Sequence, residues 1–326
     1  MPLVSVLIVF HRDTEFLRPA IASVLAQDFT DFELLLVDNG TGLTPEQLGP
    51  AGADRRVRWV RLPCNTGIPG GHNAGIAEAR GELVALLDYD DLALPGRLAR
   101  QVAAFRADPG LACVSAFARR IDAAGRDLGP EFCLPDPAAH AAYAAYAAPL
   151  ITPAAMARRE VFSALPYRAE FPFAADLDFQ ARLFERARGA VVPEILIHYR
   201  AYAGQTTRAR AKEIEHSRAA IQILAGRRRR DRPEQLPAVL DATAAPTAAG
   251  CWRRGAAVCL GDGEPVFAAY QARRSFALER TPVSAWSAWR LYRRALKEAS
   301  AGERALVRRM FRQGPVRALR LRPAGG

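Results

Sequence analysis

Three carboxylates follow an apolar run in the first third of the sequence. Residues 81–87 read Gly-Glu-Leu-Val-Ala-Leu-Leu, and Asp88, Asp90 and Asp91 come directly after them. Like charges at this spacing raise one another's pKa, so a bare cluster would resist full ionisation. A bound Mg²⁺ or Mn²⁺ removes that conflict, because carboxylate oxygens are the ligands that these cations prefer. The alternative is a solvated acidic turn in which Asp91 caps the next helix.

Apolar runs around the cluster predict the elements that must position it. Strands are predicted at 4–10, 32–37, 57–62 and 83–87, and a helix at 16–25. Strand, helix and strand over residues 4–37 form a parallel crossover unit. Ligands of an open α/β sheet bind beyond the carboxyl ends of its strands, which is where the three aspartates fall. Residues 65–75 are predicted as a glycine-containing loop that runs into a helix and could offer N–H groups to phosphate.

Four segments together resemble the family 2 glycosyltransferases with the GT-A fold. They are, in chain order, residues 5–9, 37–40, 65–75 and 87–91. The resemblance implies an α/β fold, with a GT-A-type, Rossmann-like mixed sheet flanked by helices. It also implies an inverting transfer from a nucleotide-activated sugar, usually a UDP-sugar, assisted by Mn²⁺ or Mg²⁺. Asp90 and Asp91 are assigned to the metal and Asp88 to the donor nucleotide, although the sequence does not separate the three roles.

The resemblance continues on the acceptor side. Residues 173–183 are similar to the family's Glu-Asp-x-Asp run, and residue-by-residue matching places Asp176 at the general base that takes a proton from the acceptor hydroxyl. Ala175 stands where the family has Glu, so Asp176 lacks a neighbouring like charge. The alternative role for Asp176 is that of a helix N-terminal cap. Residues 191–200 resemble the strand and Tyr-Arg that close the domain, but Tyr202 replaces a frequent histidine.

Further donor-nucleotide contacts are expected at Phe10, Arg12, Asp38, His72 and Asn73. The carboxylate of Asp38 would accept from the uracil N3–H, and residues 10–12 would flank the base. Phe10 departs from the family, which has a small polar residue there. His72 replaces an arginine, and an imidazole holds a diphosphate less firmly than a guanidinium fork. The alternative for His72 is a loop histidine in water.

The positive charge of the chain is concentrated towards its C-terminus. The net charge of the 326 residues is +11, yet residues 1–205 hold 20 Lys+Arg against 24 Asp+Glu, whereas residues 206–326 hold 25 against 10. The sequence therefore predicts a GT-A glycosyltransferase domain at 1–205 and a basic, mainly helical C-terminal domain at 206–326. Although the isoelectric point near 10.0 would suit a nucleic-acid binder, no aromatic-basic RNA motif appears, so no nucleic-acid partner is expected.

Basic amphipathic helices with tryptophan mark the C-terminal part. Trp286, Trp289, Tyr292 and Leu296 recur at helical spacing with arginines between them. This pattern is typical of membrane-surface segments and favours peripheral contact with an anionic membrane. In the alternative interpretation, the apolar stripe docks on the catalytic body. Because the sequence has neither a membrane-spanning run nor a cleavable leader pattern, the expected location is the cytoplasm, including the inner face of the membrane.

The expected function is transfer of a hexosyl group to a glycan or lipid-linked acceptor, in cell-surface polysaccharide or glycoconjugate synthesis. A sugar nucleotidyltransferase is one alternative, because it uses a similar sheet and carboxylate pair. Such enzymes usually have a glycine- and basic-rich loop after the first strand, where this chain has Phe-His-Arg-Asp. A non-enzymatic basic binding protein is the other alternative.

Overall fold

The computed structural model describes residues 1–313, so the end of the predicted C-terminal domain, 314–326, lies outside the described residues. Contacts between Cα atoms divide the described chain into two compact units. The first unit comprises residues 1–140 and 149–203, and the second comprises residues 141–148 and 204–313. No helix in the described part of the chain is both long enough and apolar enough to cross a bilayer.

One mixed sheet forms the centre of the first unit. Its nine strands, within the described residues, are β1 (Val4–Phe10), β2 (Phe32–Asn39), β3 (Val57–Leu62), β4 (Leu83–Leu86), β5 (Leu92–Ala93), β6 (Leu111–Ile121), β7 (Asp127–Glu131), β8 (Met156–Arg158) and β9 (Arg188–Arg200). They are ordered β3-β2-β1-β4-β8-β6-β9-β5, with β7 paired to β6. The first four strands in this order are mutually parallel, whereas β8 is antiparallel to both of its neighbours. The predicted α/β fold with a mixed sheet is confirmed.

Helices cover the sheet of the first unit. They are α1 (Leu17–Leu25), α2 (Gly67–Glu78), α3 (Arg97–Ala107), α5 (Arg159–Ala164) and α6 (Ala175–Leu183), whereas α4 (Pro137–Ala144) has residues in both units. The predicted strands at 4–10 and 57–62 agree with β1 and β3 in full, and β2 runs two residues beyond its predicted end. The side chains of β1, β2 and β4 are buried on both faces, as their continuous apolar runs require.

Helix α2 corrects the prediction of a loop over residues 65–75. The glycines lower intrinsic helix propensity, yet α2 already begins at Gly67. Gly75 lets the helix approach the sheet closely, because a Cβ there would lie 2.2 Å from Leu7 Cδ1 and 2.7 Å from Val37 Cγ2. The glycine pattern therefore serves helix packing on β1 and β2.

Helices are the only regular elements in the described residues of the second unit. Its helices are α7 (Thr206–Ala209), α8 (Ala211–Arg229), α9 (Leu236–Thr243), α10 (Ala248–Gly261), α11 (Pro265–Leu278), α12 (Pro282–Glu298) and α13 (Ala301–Gln313). Buried Trp252 donates from Nε1 to Glu215 Oε2 at 2.7 Å, and Arg274 Nη2 donates to Glu215 Oε1 at 2.9 Å. These bonds join α8, α10 and α11.

Helix α12 exposes the two tryptophans of the predicted amphipathic stripe. Its buried side consists of small residues, Ser284, Ala288 and Ala295, whereas Trp286 and Trp289 are exposed. The alternative in which the stripe docks as a whole is therefore wrong for its two tryptophans.

Candidate active site

The three aspartates lie in the short turn between β4 and β5, at the carboxyl edge of the parallel strands. One carboxylate oxygen from each of Asp88, Asp90 and Asp91 lies within 4.8 Å of the other two. Asp91 is fully buried. Its Oδ1 accepts from the backbone N–H of Arg200 at 2.7 Å, while its Oδ2 is buried without a hydrogen-bond partner among the described residues. The structure thus directs three carboxylates at one point.

Burial and mutual repulsion raise the pKa values of this acidic triad. Burial, followed by the charges of Asp90 and Asp176, raises the pKa of Asp88 to about 7. The pKa of Asp91 is raised well above its ordinary value by burial and then by the charges of Asp88 and Asp90. Burial also raises the pKa of Asp90, against a hydrogen bond from Tyr202 that lowers it. Full ionisation of the triad therefore needs compensating positive charge.

Arg97 supplies part of the positive charge that compensates the triad. No sequence pattern singles out this arginine. This arginine begins α3 and is almost completely buried. Its Nη2 donates to the backbone oxygen of Leu86 at 2.6 Å and its Nε to Gln101 Oε1 at 3.2 Å. Burial lowers its pKa to about 10, so it remains charged at neutral pH. The charge of Arg200 lowers the pKa of Asp90 and Asp91, and that of Arg12 lowers the pKa of Asp90, yet the pKa values of all three carboxylates remain raised.

The triad fits a divalent cation of the Mg²⁺ or Mn²⁺ type. The donor set is all carboxylate oxygen, which such cations prefer. The buried and unpartnered Oδ2 of Asp91 would otherwise cost folding free energy. The alternative in which Asp91 caps α3 is wrong, because Gly96 occupies the N-cap position of that helix.

The raised pKa of Asp88 predicts a pH dependence of stability in the metal-free protein. Its folded-state pKa of about 7 exceeds its ordinary value of 3.8, so the folded state binds the proton more tightly and loses stability as pH rises between these values. Buried histidines with lowered pKa act in the opposite sense, so the wild type must be compared with Asp88→Asn. From about pH 5 to about pH 7, the melting temperature of the wild type should fall relative to that of the variant. Each kcal/mol lost from the free energy of unfolding should lower it by roughly 2–4 °C. Parallel curves in thermal denaturation would contradict the prediction.

Asp176 lies in the first turn of α6, near enough to the triad for its charge to act on Asp88. Its charge contributes to the raised pKa values of Asp88 and of Tyr167. Thr152 Oγ1 donates to Asp176 Oδ2 at 3.0 Å and itself accepts from Gln180 Nε2 at 3.1 Å. The N-cap residue of α6 is Ala174, so the alternative of Asp176 as the cap is wrong. No local sequence pattern marks Thr152, because its contact with Asp176 depends on tertiary structure.

His72 and Asn73 lie on α2 and face Tyr167. The amide of Asn73 donates to the backbone oxygen of Tyr167 at 2.8 Å and accepts from its N–H at 3.0 Å. His72 packs edge-on against the same tyrosine, and its Nδ1 lies 2.9 Å from the oxygen of Ile68. Since a carbonyl oxygen only accepts, Nδ1 carries the proton and the neutral ring leaves Nε2 as an acceptor. Burial lowers the pKa of His72, so donation to a phosphate requires protonation first.

Phe10 and Asp38, both expected near the nucleotide base, make contacts within the protein. Phe10 is fully buried and packs edge-on against Trp59, with 6.2 Å between ring centroids. The expected contact of its ring with the nucleotide base is therefore wrong for this structure. Asp38 is buried, and its oxygens accept from the N–H and hydroxyl of Thr41, both at 2.7 Å, and from the N–H of Gly42 at 3.0 Å. Since a carboxylate has about four acceptor positions, about one is left for a base N–H.

Arg12 contacts two tyrosines, and one of them, Tyr202, is bonded to the triad. Its Nε and Nη2 donate to Tyr89 Oη at 3.1 and 3.0 Å, and Nη2 also lies 3.4 Å from Tyr202 Oη. The hydroxyl of Tyr202 donates to Asp90 Oδ2 at 3.0 Å. Phe16 packs against the Tyr202 ring at a centroid distance of 5.3 Å. Tyr202, at the position of the family's frequent histidine, thus contacts the triad through Asp90.

Part of the chain is similar in sequence to known glycosyltransferases. Residues 5–165 match the family model described as glycosyl transferase family 2. The succinoglycan biosynthesis protein ExoO of Rhizobium meliloti is 37% identical over 102 residues, which cover 31% of this chain and 29% of that protein. The O-antigen biosynthesis protein RfbC of Myxococcus xanthus is 33% identical over 137 residues, 40% of this chain and 11% of that protein. The chain thus spans less than a third of the length of either relative.

Solved structures show the same fold over almost the whole chain. The crystal structure of S. aureus TarS 1–349 in complex with UDP-GlcNAc covers 98% of this chain and 90% of its own, with a TM-score of 0.57 and 16% identity. The structure of the same fragment in complex with UDP covers 96% of this chain, with a TM-score of 0.54 and 15% identity. At this level of identity the similarity concerns the fold.

Proposed function

We propose that this chain, whose residues 5–165 match the family model described as glycosyl transferase family 2, transfers a sugar from a UDP-sugar to an acceptor hydroxyl with inversion at the anomeric carbon. The observation that supports the proposal is that Asp176 lies near enough to the acidic triad for its charge to raise the pKa of Asp88. A structural neighbour binds UDP-GlcNAc, which supports a nucleotide-sugar as the donor. The relatives named for succinoglycan and O-antigen biosynthesis support a role in polysaccharide or glycoconjugate synthesis.

The donor side of the site would hold the nucleoside diphosphate through charge. Asp88, Asp90 and Asp91 would hold Mn²⁺ or Mg²⁺, which supplies Lewis-acid stabilisation of the leaving diphosphate. The guanidinium of Arg12 is exposed at the end of β1 and would add a second positive charge on this side. The remaining acceptor position of Asp38 would receive the base N–H. His72 would contribute to diphosphate binding only in its protonated form.

The acceptor side would activate the attacking hydroxyl. Asp176 would accept the hydroxyl proton as the oxygen attacks the anomeric carbon in line with the leaving diphosphate. Because the hydroxyl of Thr152 donates to one carboxylate oxygen, it fixes the orientation of Asp176 and leaves the other oxygen for the acceptor. A single displacement of this kind inverts the anomeric carbon. The acceptor would be a glycan or a lipid-linked glycan, with the protein attached peripherally to an anionic membrane.

A ligand screen by thermal denaturation tests the proposed donor. The full chain is incubated with UDP, GDP, dTDP or CMP, each with and without Mn²⁺. UDP with Mn²⁺ should raise the melting temperature more than either alone, because binding to the folded state stabilises it. If no nucleotide raised it with Mn²⁺ present, the proposed function would be wrong.

Tyr202→Phe tests whether the segment that follows β9 supports the cation site. The substitution removes the hydroxyl that donates to Asp90 Oδ2 and retains the ring that packs on Phe16. Loss of such an outer contact should weaken Mn²⁺ binding by roughly tenfold or more. The matched control is Tyr143→Phe, which removes a hydroxyl from the second unit. Unchanged Mn²⁺ affinity in calorimetry would show that Tyr202 has no part in the site.

A further inference from the structure

The exposed large apolar side chains of the described chain are unevenly distributed. Nine such residues occur, and five of them lie between residues 276 and 289, at the end of α11 and the start of α12: Phe276, Leu278, Val283, Trp286 and Trp289. Trp286 is 58% exposed and Trp289 is 50% exposed. Single exposed apolar residues need no explanation, but a concentrated group marks a surface for interaction.

One side of α12 carries most of this group and a row of basic residues. We call it the α12 face, and it consists of Val283, Trp286, Trp289, Arg290, Arg293, Arg294 and Lys297. These positions recur at spacings of three and four, so they lie on one side of the helix. The small residues Ser284, Ala288 and Ala295 are buried on the other side. The tryptophans are therefore directed outward by the packing of α12 itself.

The charge of the α12 face is positive. Between residues 276 and 298 the chain has five basic residues and two acidic residues, Glu279 and Glu298. Glu298 is paired with Arg294, at 2.7 Å between Oε1 and Nε. Glu279 is already paired with Arg253, at 2.7 Å between Oε2 and Nη1. The Arg290 guanidinium lies 4.6 Å from the centroid of the Trp286 ring, and that of Arg293 lies 5.4 Å from that of Trp289. Each exposed indole is thus covered on one side by a cation.

We propose that the α12 face binds the surface of a membrane that contains anionic lipids. Indole rings favour the boundary between head groups and acyl chains, and arginine and lysine beside them attract anionic head groups. The inference rests on the peripheral attachment in the proposed function and assigns it to specific residues. A second copy of the chain fits less well, because two copies of this face would repel each other. Stacking on nucleic-acid bases also fits less well, because guanidinium groups already cover the indoles.

Vesicle sedimentation with the full chain tests the proposal without any sugar donor. The wild type should sediment with vesicles of phosphatidylcholine and phosphatidylglycerol and remain in solution with phosphatidylcholine alone. Trp286→Ser with Trp289→Ser should weaken binding by roughly tenfold or more, since the buried apolar area is lost. The matched control is Leu128→Ser with Phe132→Ser, which removes two apolar residues of similar exposure, 47% and 43%, from the first unit.

A second pair of variants separates charge from apolar burial. Arg290→Gln with Arg293→Gln should weaken binding about fivefold for each arginine. Arg55→Gln with Arg106→Gln, at exposed positions of the first unit, should leave binding unchanged.

Four outcomes would overturn the proposal: no vesicle binding, equal binding to neutral vesicles, equal loss in the control variants, or a tryptophan-dependent doubling of mass in analytical ultracentrifugation. Tryptophan-dependent binding of single-stranded DNA, with no binding to vesicles, would assign the face to nucleic acid. Because no step of the assay requires transfer, its failure would leave the proposed donor and catalytic residues standing. Failure of the donor screen would likewise leave the vesicle result intact.

Discussion

Replacing Asp176 by asparagine is expected to abolish sugar transfer while the donor still binds. Asparagine keeps the size of the side chain and can still accept from Thr152 through its amide oxygen, but it cannot take the proton of the attacking hydroxyl. Loss of a general base costs about a hundredfold to ten-thousandfold in rate. Turnover of UDP-sugar and calorimetric binding of UDP with Mn²⁺ are measured on the same preparation.

The matched control for this substitution is Asp31→Asn. Asp31 is exposed and precedes β2, at the opposite end of the strand from the site, so both turnover and binding should match the wild type. Wild-type turnover in Asp176→Asn would remove the general-base assignment. Equal loss of turnover and of UDP binding would instead assign Asp176 to the donor.

Asp90→Ala is expected to remove the part of donor binding that depends on metal. The substitution takes away one of the three carboxylates that converge within 4.8 Å and also the acceptor of the Tyr202 hydroxyl bond. UDP affinity measured with Mn²⁺ should fall to the level measured with a chelator. Since burial and repulsion raise the pKa of Asp88 and Asp91, the metal-free variant should not unfold more readily than the metal-free wild type. A loss of binding without a loss of melting temperature therefore identifies a site defect.

Asp31→Ala is the control for this variant, and it should keep the full effect of Mn²⁺ on UDP affinity. A retained Mn²⁺ effect in Asp90→Ala would contradict the assignment of the triad to the cation. Transfer that persists undiminished in a chelator would contradict it as well.

Features of the fold and site that are formed by residues adjacent in the sequence could be predicted. The apolar runs of β1 and β4 are continuous because both faces of these strands are buried, and the triad converges because its members are neighbours in one turn. Resemblance was needed to single out Asp176, because 85 or more residues separate it from the triad. Its role as base stays a prediction.

Features that depend on tertiary packing could not be predicted in this way. Arg97, Thr152 and Tyr202 contact or compensate the site carboxylates from other elements, and no local pattern distinguishes them from other arginines, threonines or tyrosines. The glycines of α2 suggested a loop, because the close approach of Gly75 to the sheet is not visible in the sequence. The burial of Phe10 could not be predicted either, because the burial of a residue at a strand end depends on the elements that pack around it.

Calorimetric titration of the full chain with UDP and UDP-sugars, in Mn²⁺ and then in a chelator, tests the claim on which the account depends. The account predicts binding of at least one UDP-sugar in Mn²⁺ and a large loss of affinity on chelation. It also predicts that Asp90→Ala in Mn²⁺ behaves like the chelated wild type. Absence of binding in Mn²⁺, or an affinity that chelation leaves unchanged, would contradict a cation held by Asp88, Asp90 and Asp91 as the anchor of the donor.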